Sequence, residues 1–397
     1  MKKKRVVHYP EKPVSDASDT SASGDPFSGR AFSLRRKSLS VRIGSLRVGG
    51  AVPIAVESMT KTDTSDVDAT VRQIRALERA GCELVRVAVP DKKAAKALGK
   101  IVSRSKIPIV ADIHFDHRLA LISLDEGVAG IRLNPGNIRE RKRVEDVVRS
   151  ARSKKASIRI GVNAGSLPRK LVVRYGRHGV DEAMVQSAMG HIRILEDLGF
   201  GNIVVSVKST DVAATVLANR KLASIIKYPI HIGMTESGTL LKGSVISAAG
   251  IAILLSEGIG DTVRVSLAAD PVREVEVALN ILKCLGLREV GPTVTCCPTC
   301  GRCEIDIERI ATQVEKRVRG VKNIVRIAVM GCAVNGPGEA RDADVGVAGG
   351  KHVGLLFRRG TIVGKVREKD IVDALVEQVR LFLEEEKVRG RGKAGVH

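Results

Sequence analysis

Residues 157–163 read SIRIGVN, a short apolar run with β-branched residues that ends in a polar side chain. It is one of eight such runs between residues 40 and 288, and helical stretches such as 66–80 and 181–199 separate them. Short runs of this kind are typical of strands, whereas apolar residues at helical spacing indicate helices. The eight runs are 53–59, 83–89, 108–114, 130–135, 157–163, 202–208, 229–236 and 261–267. Eight strand–helix units over roughly 250 residues predict an α/β fold, a TIM (β/α)8 barrel rather than an open sheet.

Polar side chains lie in the C-terminal part of most predicted strands or just beyond it. In a TIM barrel the active site is built at this C-terminal face, so we expect these side chains to share one site. They are Arg86, His114, Arg132, Asn134, Arg159, Asn163, Lys208, Glu236, Arg264 and Ser266. A single arginine here could simply pair with a neighbouring carboxylate, but four strands that carry arginine favour a binding site. Arginine and lysine bind phosphate through charge-assisted hydrogen bonds, so the pattern predicts a phosphorylated substrate.

A second candidate site lies towards the C-terminus. Residues 297–300 read CPTC, Gly331-Cys332 follows, and residues 335–339 read NGPGE. Three thiolates with a carboxylate on a Gly-Pro-Gly turn suit an iron–sulfur cluster whose fourth iron is held by oxygen. An iron with an exchangeable ligand could bind a substrate oxygen and act as a Lewis acid. The spacing also fits a structural zinc site, although no histidine lies among these cysteines.

Composition narrows the class of protein. The net charge of +22 is compatible with nucleic-acid binding, but the chain has no Trp, three Tyr and six Phe to stack on bases. A basic proteome or an anionic small substrate explains the charge as well. No run approaches the ~18 apolar residues that span a bilayer, and the start MKKKR is not followed by the apolar core of a secretory signal. We therefore expect a reducing cytoplasm, where clustered thiols more often hold metal than form disulfides.

The domain organisation follows from these patterns. Residues 1–38 lack periodicity and predict a disordered basic leader, 39–288 form the barrel, 289–385 form the cluster domain, and 386–397 form a flexible tail. Residues 289–293 read as a linker. The predicted elements of the cluster domain are helices near 304–319 and 368–385 and strands near 324–330, 343–348, 353–357 and 361–366.

Over residues 38–385 the chain resembles the 4-hydroxy-3-methylbut-2-enyl diphosphate synthase family in its compact, two-domain form. The resemblance rests on blocks that are short but specific in order and spacing. These are SMT at 58–60, ADIHF at 111–115, RLNPGN at 132–137, GVNAGSL at 161–167, VKS at 207–209, TESG at 235–238, CPTCGR at 297–302 and NGPGEA at 335–340.

The resemblance implies a TIM barrel joined to a domain that holds one [4Fe–4S] cluster. Members convert 2-C-methyl-D-erythritol 2,4-cyclodiphosphate to 4-hydroxy-3-methylbut-2-enyl diphosphate in the methylerythritol phosphate pathway of isoprenoid biosynthesis. By position, the cluster ligands are Cys297, Cys300, Cys332 and Glu339, and Glu236 is the catalytic carboxylate. The diphosphate-binding positions are Arg86, His114, Arg132, Arg159, Asn163, Lys208, Arg264 and Ser266.

The resemblance also implies the partners. Reduced flavodoxin or ferredoxin supplies electrons one at a time, and two chains form a head-to-tail homodimer in which the cluster domain of one closes over the barrel of the other. No nucleic-acid or membrane partner is expected. Glu339 is expected to leave the reactive iron during turnover.

The remaining cysteines leave some alternatives open. Cys303 follows Cys300 at ligand spacing and Cys296 adjoins Cys297, but the family pattern requires neither. Cys82 and Cys284 are interpreted as core thiols. One competing hypothesis is an RNA-binding protein with structural zinc. Another is a barrel enzyme that uses the cluster only as an electron relay.

Overall fold

The computed structural model describes residues 35–114, 116–138, 140–289, 291–332 and 343–393. Its first part is a barrel of eight parallel strands, preceded by a short antiparallel hairpin of β1 and β2. The strands are β1 Val41–Ile43, β2 Leu46–Val48, β3 Ala55–Met59, β4 Leu84–Ala88, β5 Ile109–Asp112, β6 Gly130–Arg132, β7 Ser157–Asn163, β8 Ile203–Lys208, β9 His231–Ile232 and β10 Thr262–Val263.

The barrel sheet runs in the order β8-β7-β6-β5-β4-β3-β10-β9. A parallel bridge between Val205 of β8 and Ile230 closes the ring, and the Val205 amide donates to the Pro229 carbonyl over 2.9 Å. A closed barrel leaves no edge strand. The prediction of a TIM barrel is confirmed, and all eight predicted strands are present. Strands β9 and β10 are only two residues long, shorter than the apolar runs that predicted them.

Helices surround this barrel. They are α1 Val67–Arg79, α2 Lys92–Val102, α3 His117–Asp125, α4 Arg141–Ser153, α5 Arg169–Tyr175, α6 Val180–Asp197, α7 Val212–Ile225, α8 Leu240–Ser256 and α9 Pro271–Cys284. Their N-termini are often capped by an aspartate; the Asp66 carboxylate, for example, accepts from the Ala69 amide over 2.9 Å. In α1 the apolar residues Val71, Ile74 and Leu77 are buried against the barrel.

The hairpin covers the N-terminal end of the barrel. Val41, Ile43 and Val48 form a small apolar cluster with strand residues such as Leu84 and Val204. This plug leaves the opposite, C-terminal face of the barrel as the place for a site.

Residues 35–38 also contact the barrel, although the sequence assigned them to the leader. Arg35 Nη2 and Ser38 Oγ both donate to Asp261 Oδ1, over 2.8 and 2.7 Å, and Arg36 Nη1 donates to the Ile226 carbonyl over 2.7 Å. Asp261 is buried. Side-chain contacts therefore hold residues 35–38 against the barrel, although this segment has no apolar periodicity. The rest of the predicted leader lies outside the described residues.

The second part is a five-stranded sheet with helices on one face. Strands β11 Pro292–Cys296, β12 Val325–Met330 and β13 Val345–Gly350 are parallel, and β14 Val353–Arg358 and β15 Thr361–Arg367 continue the sheet antiparallel. Helices α10 Ile307–Val318 and α11 Ile371–Lys393 share one apolar core with the sheet. The sequence predicted both helices but not β11, and α11 runs to Lys393 rather than ending near 385.

The remaining regular segments are short 3-10 turns at Pro135–Asn137, Ala164–Ser166, Arg177–Gly179 and Glu368–Asp370. Cys82 is buried as predicted, but Cys284 is exposed at the end of α9, so its interpretation as a core thiol was wrong. Within the described ranges, no helix combines the length and apolar character that crossing a membrane requires.

Candidate active site

Basic side chains gather at the C-terminal face of the barrel. Arg86 lies in β4, Arg132 ends β6, Lys208 ends β8 and Arg264 directly follows β10. A cavity at this face is lined by most of the residues that the sequence predicted to bind substrate. These are Arg86, His114, Arg132, Arg159, Asn163, Lys208, Arg264 and Ser266. Parallel strand ends thus bring side chains from distant parts of the chain into one pocket, here called the anion pocket.

The Glu57 carboxylate lies within the barrel among these cations. Arg159 forms a two-pronged ion pair with it: Nη1 donates to Oε2 over 2.5 Å and Nη2 donates to Oε1 over 2.9 Å. Arg86 Nε lies 4.0 Å from Glu57 Oε1. Burial alone would raise the pKa of Glu57, but the charges of Arg159 and Arg86 outweigh that effect and hold the pKa below its usual value. Glu57 therefore stays ionised and fixes the guanidinium of Arg159.

Asp112, at the end of β5, orders Arg132 and also contacts Arg86. Its carboxylate lies 3.7 Å from Arg86 Nε and 3.5 Å from Arg132 Nη1. Arg132 Nη2 donates to the Gly161 carbonyl over 2.6 Å, and its Nη1 lies 3.3 Å from His114 Nδ1. Burial lowers the pKa of Arg86 to about 10, which still leaves a cation at neutral pH.

Lys208 has a different environment. Its Nζ lies 3.0 Å from Nε2 of the buried His231, whose Nδ1 lies 2.8 Å from Thr262 Oγ1. Burial, and then the charges of Arg264 and Arg86, lowers the pKa of Lys208 well below its usual value. Burial and the positive charges around it likewise lower the pKa of His231, so the imidazole is neutral.

Arg264 is oriented by a carboxylate of helix α9. Its Nη2 lies 3.6 Å from Oε2 of the buried Glu274 in α9. The Glu274 carboxylate also accepts from Ser58 Oγ over 3.0 Å and from the Leu267 amide over 3.1 Å, and Lys61 Nζ lies 3.2 Å from it. These contacts fix the carboxylate, which in turn restrains the guanidinium.

Two glycines make room for these cations. A Cβ on Gly161 would collide with the Arg132 guanidinium, and one on Gly233 would come within 2.9 Å of Lys208 Nζ and collide with the Arg264 carbonyl. Gly233 also has a φ of +155°, in the region that favours glycine. The backbone at both glycines therefore approaches the basic side chains of the pocket more closely than a residue with a Cβ would allow.

Two predicted site residues lie apart from the cavity lining. The Asn134 side chain forms two hydrogen bonds with the backbone of Gly161. It donates to the Gly161 carbonyl and accepts from the Gly161 amide, each over 2.9 Å. It joins the ends of β6 and β7. Glu236 follows the cavity-lining Thr235, is exposed, and has a φ of +51°, a left-handed conformation that costs a non-glycine residue energy.

Sequence reasoning missed the carboxylates and the histidine that order the cations. Glu57, Asp112 and His231 all lie inside predicted strands, and Glu274 lies in the first turn of a helix. The available signal was a charged or polar residue within an otherwise apolar strand, since such a residue needs a buried partner. The identity of that partner depends on barrel geometry.

Two thiols of the second domain lie at the same end of neighbouring strands. Cys297 directly follows β11 and Cys332 lies two residues beyond β12, and these two strands are parallel neighbours. The Gly331 amide donates to Cys297 Sγ over 3.2 Å, a bond typical of cluster-ligating sulfur. Cys300 is exposed in the loop between β11 and α10. Thiols at the same end of two neighbouring strands are suitable ligands for an iron–sulfur cluster.

Cys303 Sγ donates to the Ile305 carbonyl over 3.0 Å and lies beside Gly331. In the part of the chain that the structure describes, no three potential ligands lie close enough together to hold a metal ion. The proposed fourth ligand, Glu339, lies outside the described residues, as does the rest of its Gly-Pro-Gly turn.

Comparison with known proteins covers both parts of the chain. A GcpE TIM-barrel domain matches residues 38–279, and a GcpE protein C-terminal domain matches residues 293–381. The chain is 56% identical over 345 residues to a Geobacter sulfurreducens protein named 4-hydroxy-3-methylbut-2-en-1-yl diphosphate synthase (flavodoxin), covering 87% of this chain and 98% of that one. It is 53% identical over 340 residues to the protein of the same name from Thermodesulfovibrio yellowstonii, covering 86% and 97% of the two chains.

Proposed function

Because the chain belongs to the family of 4-hydroxy-3-methylbut-2-en-1-yl diphosphate synthases, we propose that it performs the reaction of that family. It is an oxidoreductase of the methylerythritol phosphate pathway. It opens the ring of 2-C-methyl-D-erythritol 2,4-cyclodiphosphate by reduction and removes water to give 4-hydroxy-3-methylbut-2-enyl diphosphate. The observation that carries the proposal is the anion pocket, in which five basic side chains face three carboxylates.

Diphosphate binding accounts for the excess of cations. The Nε–H groups of Arg86, Arg159 and Arg264 are buried and have no hydrogen-bond acceptor among the described residues. Buried donors need partners, and the oxygens of a diphosphate supply them. When the ring opens, negative charge develops on the leaving phosphate oxygen. Fixed guanidinium groups stabilise that charge without having to reorganise.

We assign the proton transfer to Glu236. Its neighbour Thr235 lines the anion pocket, and Glu236 itself is exposed, in a left-handed backbone conformation four residues beyond the end of β9. A carboxylic acid at the barrel mouth can protonate the oxygen that leaves carbon as water. Asn163, His114 and Ser266 complete the predicted set of groups that hold the substrate.

The family uses an iron–sulfur cluster, and we propose a [4Fe–4S] type held by Cys297, Cys300, Cys332 and Glu339. When bound, such a cluster supplies single electrons and an iron that can accept an oxygen ligand. The thiolates retain the cluster, while the carboxylate is the ligand that exchanges.

Replacement of Glu339 tests this assignment. Glu339→Cys should assemble a cluster with full iron and sulfide content but turn over far more slowly, because a thiolate resists displacement. Glu339→Ala should lose iron readily. Undiminished turnover of a fully loaded Glu339→Cys enzyme would instead establish an electron relay.

Reduced flavodoxin is the proposed electron donor, since the relatives' names carry that word, and ferredoxin is the alternative. A reducing cytoplasm suits a cluster held by thiolates. We would measure how much reduced flavodoxin is oxidised during turnover. Transfer of two electrons for each substrate molecule consumed would support the reaction. Zinc without iron or acid-labile sulfide in the purified protein would contradict it.

We further propose a head-to-tail homodimer with a composite active site. Within the described ranges, every residue that lines the anion pocket belongs to the barrel and none to the second domain. A site that needs both parts can therefore be completed by the cluster domain of a second chain.

Mixing two impaired variants tests the shared site. Arg264→Ala damages the pocket, and Cys300→Ser damages the cluster. Random reassortment of a symmetric dimer should restore about one quarter of wild-type activity, because half of the dimers then contain one intact composite site. Absence of recovery in dimers shown to exchange subunits would mean that each chain acts alone.

A further inference from the structure

Lys208 is the one basic side chain of the anion pocket that has no carboxylate partner in the described part of the chain. Its side chain is buried, and no Asp or Glu oxygen there lies within 4.0 Å of Nζ. Arg86, Arg159 and Arg264, in contrast, each lie within that distance of Glu57 or Glu274. The contact of Lys208 is the uncharged imidazole of His231.

The charges that face Lys208 are mostly positive. The positive charges come from Arg86 of β4, Arg159 of β7 and Arg264, the residue after β10, and Glu57 of β3 contributes a negative charge. The fifth group is His231 of β9. The backbone of Gly233 approaches Nζ so closely that a Cβ at this position would lie 2.9 Å from it. A buried amine among three guanidinium groups loses both hydration and favourable charge contacts, and its pKa is lowered accordingly.

The groups behind Lys208 suit either charge state of its amine. Nζ lies 3.0 Å from His231 Nε2, and His231 Nδ1 lies 2.8 Å from Thr262 Oγ1. A neutral amine can accept from Nε2–H while the threonine hydroxyl donates to Nδ1. An ammonium can donate to Nε2 while Nδ1–H donates to the hydroxyl. A change of imidazole tautomer therefore satisfies all three groups before and after Lys208 gains a proton.

We propose that Lys208 is a neutral amine in the ligand-free pocket and takes up one proton from solvent when the cyclodiphosphate binds. The entering anion supplies the negative charge that the pocket lacks, so the ammonium becomes the favoured form. His231 is a positioning residue that holds the amine towards the pocket in both states. The inference rests on the proposed function, because it needs the diphosphate in this pocket.

Proton linkage fixes the sign of the pH dependence. The bound state holds more protons than the free state, so affinity is strongest at low pH and weakens as the pH rises above the value at which free Lys208 loses its proton. Uptake of one proton raises Kd tenfold per pH unit across that range. Each phosphorus of the cyclic substrate carries one strongly acidic oxygen, so the ligand itself does not titrate near neutral pH.

Isothermal titration calorimetry tests the proposal. The oxidised holoenzyme would be titrated anaerobically with the cyclodiphosphate, without reductant, in HEPES, tricine and Tris at one mildly alkaline pH. The slope of the observed enthalpy against the buffer's ionisation enthalpy gives the number of protons taken up. We expect uptake approaching one proton per chain for the wild type.

Two conservative variants make the test specific. Lys208→Arg keeps a cation that is always charged, so it should bind without proton uptake. Lys283→Arg is the matched control, because Lys283 is partly buried and likewise has a lowered pKa but lies outside the anion pocket; proton uptake by this variant should equal that of the wild type. Binding without uptake in the wild type, or equal uptake in Lys208→Arg, would overturn the proposal. Failure of the wild type to bind the substrate would instead overturn the proposed function.

Discussion

Replacing Glu57 with glutamine should reveal how strongly the anion pocket depends on its buried carboxylate. Glutamine keeps the volume of the side chain but removes its charge, so Arg159 loses two charge-assisted bonds of 2.5 and 2.9 Å. Both side chains are at most 5% exposed. Breaking a buried ion pair by removing one partner costs about 3–5 kcal/mol, so Glu57→Gln should lower the free energy of unfolding by that amount.

Glu257→Gln is the matched control for this prediction. Glu257 forms a similar two-pronged pair with Arg220, with Nε donating to Oε2 over 2.9 Å, but these side chains are 34% and 47% exposed. An exposed pair contributes about 0.2–1 kcal/mol. The chain has no tryptophan, so urea unfolding would be followed by far-UV circular dichroism.

Bound substrate should narrow the difference in stability between Glu57→Gln and the wild type. A bound diphosphate replaces part of the lost negative charge, so it should raise the unfolding midpoint of Glu57→Gln more than that of the wild type. Equal losses of stability in Glu57→Gln and Glu257→Gln would refute the reasoning, because burial would then have no influence on the pair.

Further variants address the pocket and the cluster. Gly161→Ala should lower kcat/KM at least tenfold, because its Cβ displaces the guanidinium at the end of β6, whereas Gly165→Ala, with no atom within 4 Å of its Cβ, should match the wild type in the same steady-state assay. Arg264→Ala should lose roughly tenfold to a hundredfold in kcat/KM, since charge-assisted bonds contribute about 1.5–3 kcal/mol, and Arg264→Lys should recover only part; wild-type kinetics would place the anion elsewhere. Cys300→Ser should lose iron after anaerobic purification while Cys303→Ser retains it, and equal iron loss would show that Cys303 is a ligand.

The sequence was sufficient to predict the barrel and its basic mouth. Eight apolar runs alternate with amphipathic helices, and a closed parallel barrel places every strand end at one face. Arg132 and Arg264 could therefore be assigned to one pocket although 132 positions separate them in the chain. The prediction needed only strand direction, which periodicity and element order supply.

The partners of the cations could not be predicted in the same way. Glu274 reaches Arg264 because of the path that the chain takes from β10 into α9, and His231 meets Lys208 because β8 and β9 close the ring. Strand β11 was missed because Pro292 suggested a linker, yet proline is tolerated as the first residue of a strand. Its pairing with β12 depends on a partner some thirty residues away.

The central claim is that the barrel cations and the thiolate-held cluster act on one cyclodiphosphate molecule. The most direct measurement is anaerobic incubation of reconstituted protein with the cyclodiphosphate and reduced flavodoxin, followed by phosphorus NMR of the products. The account predicts that the two signals of the ring diphosphate are replaced by those of an open 4-hydroxy-3-methylbut-2-enyl diphosphate, and that neither Cys300→Ser nor Arg264→Ala approaches the wild-type rate. An unchanged ring diphosphate with fully loaded wild-type protein, or undiminished turnover in either variant, would contradict it.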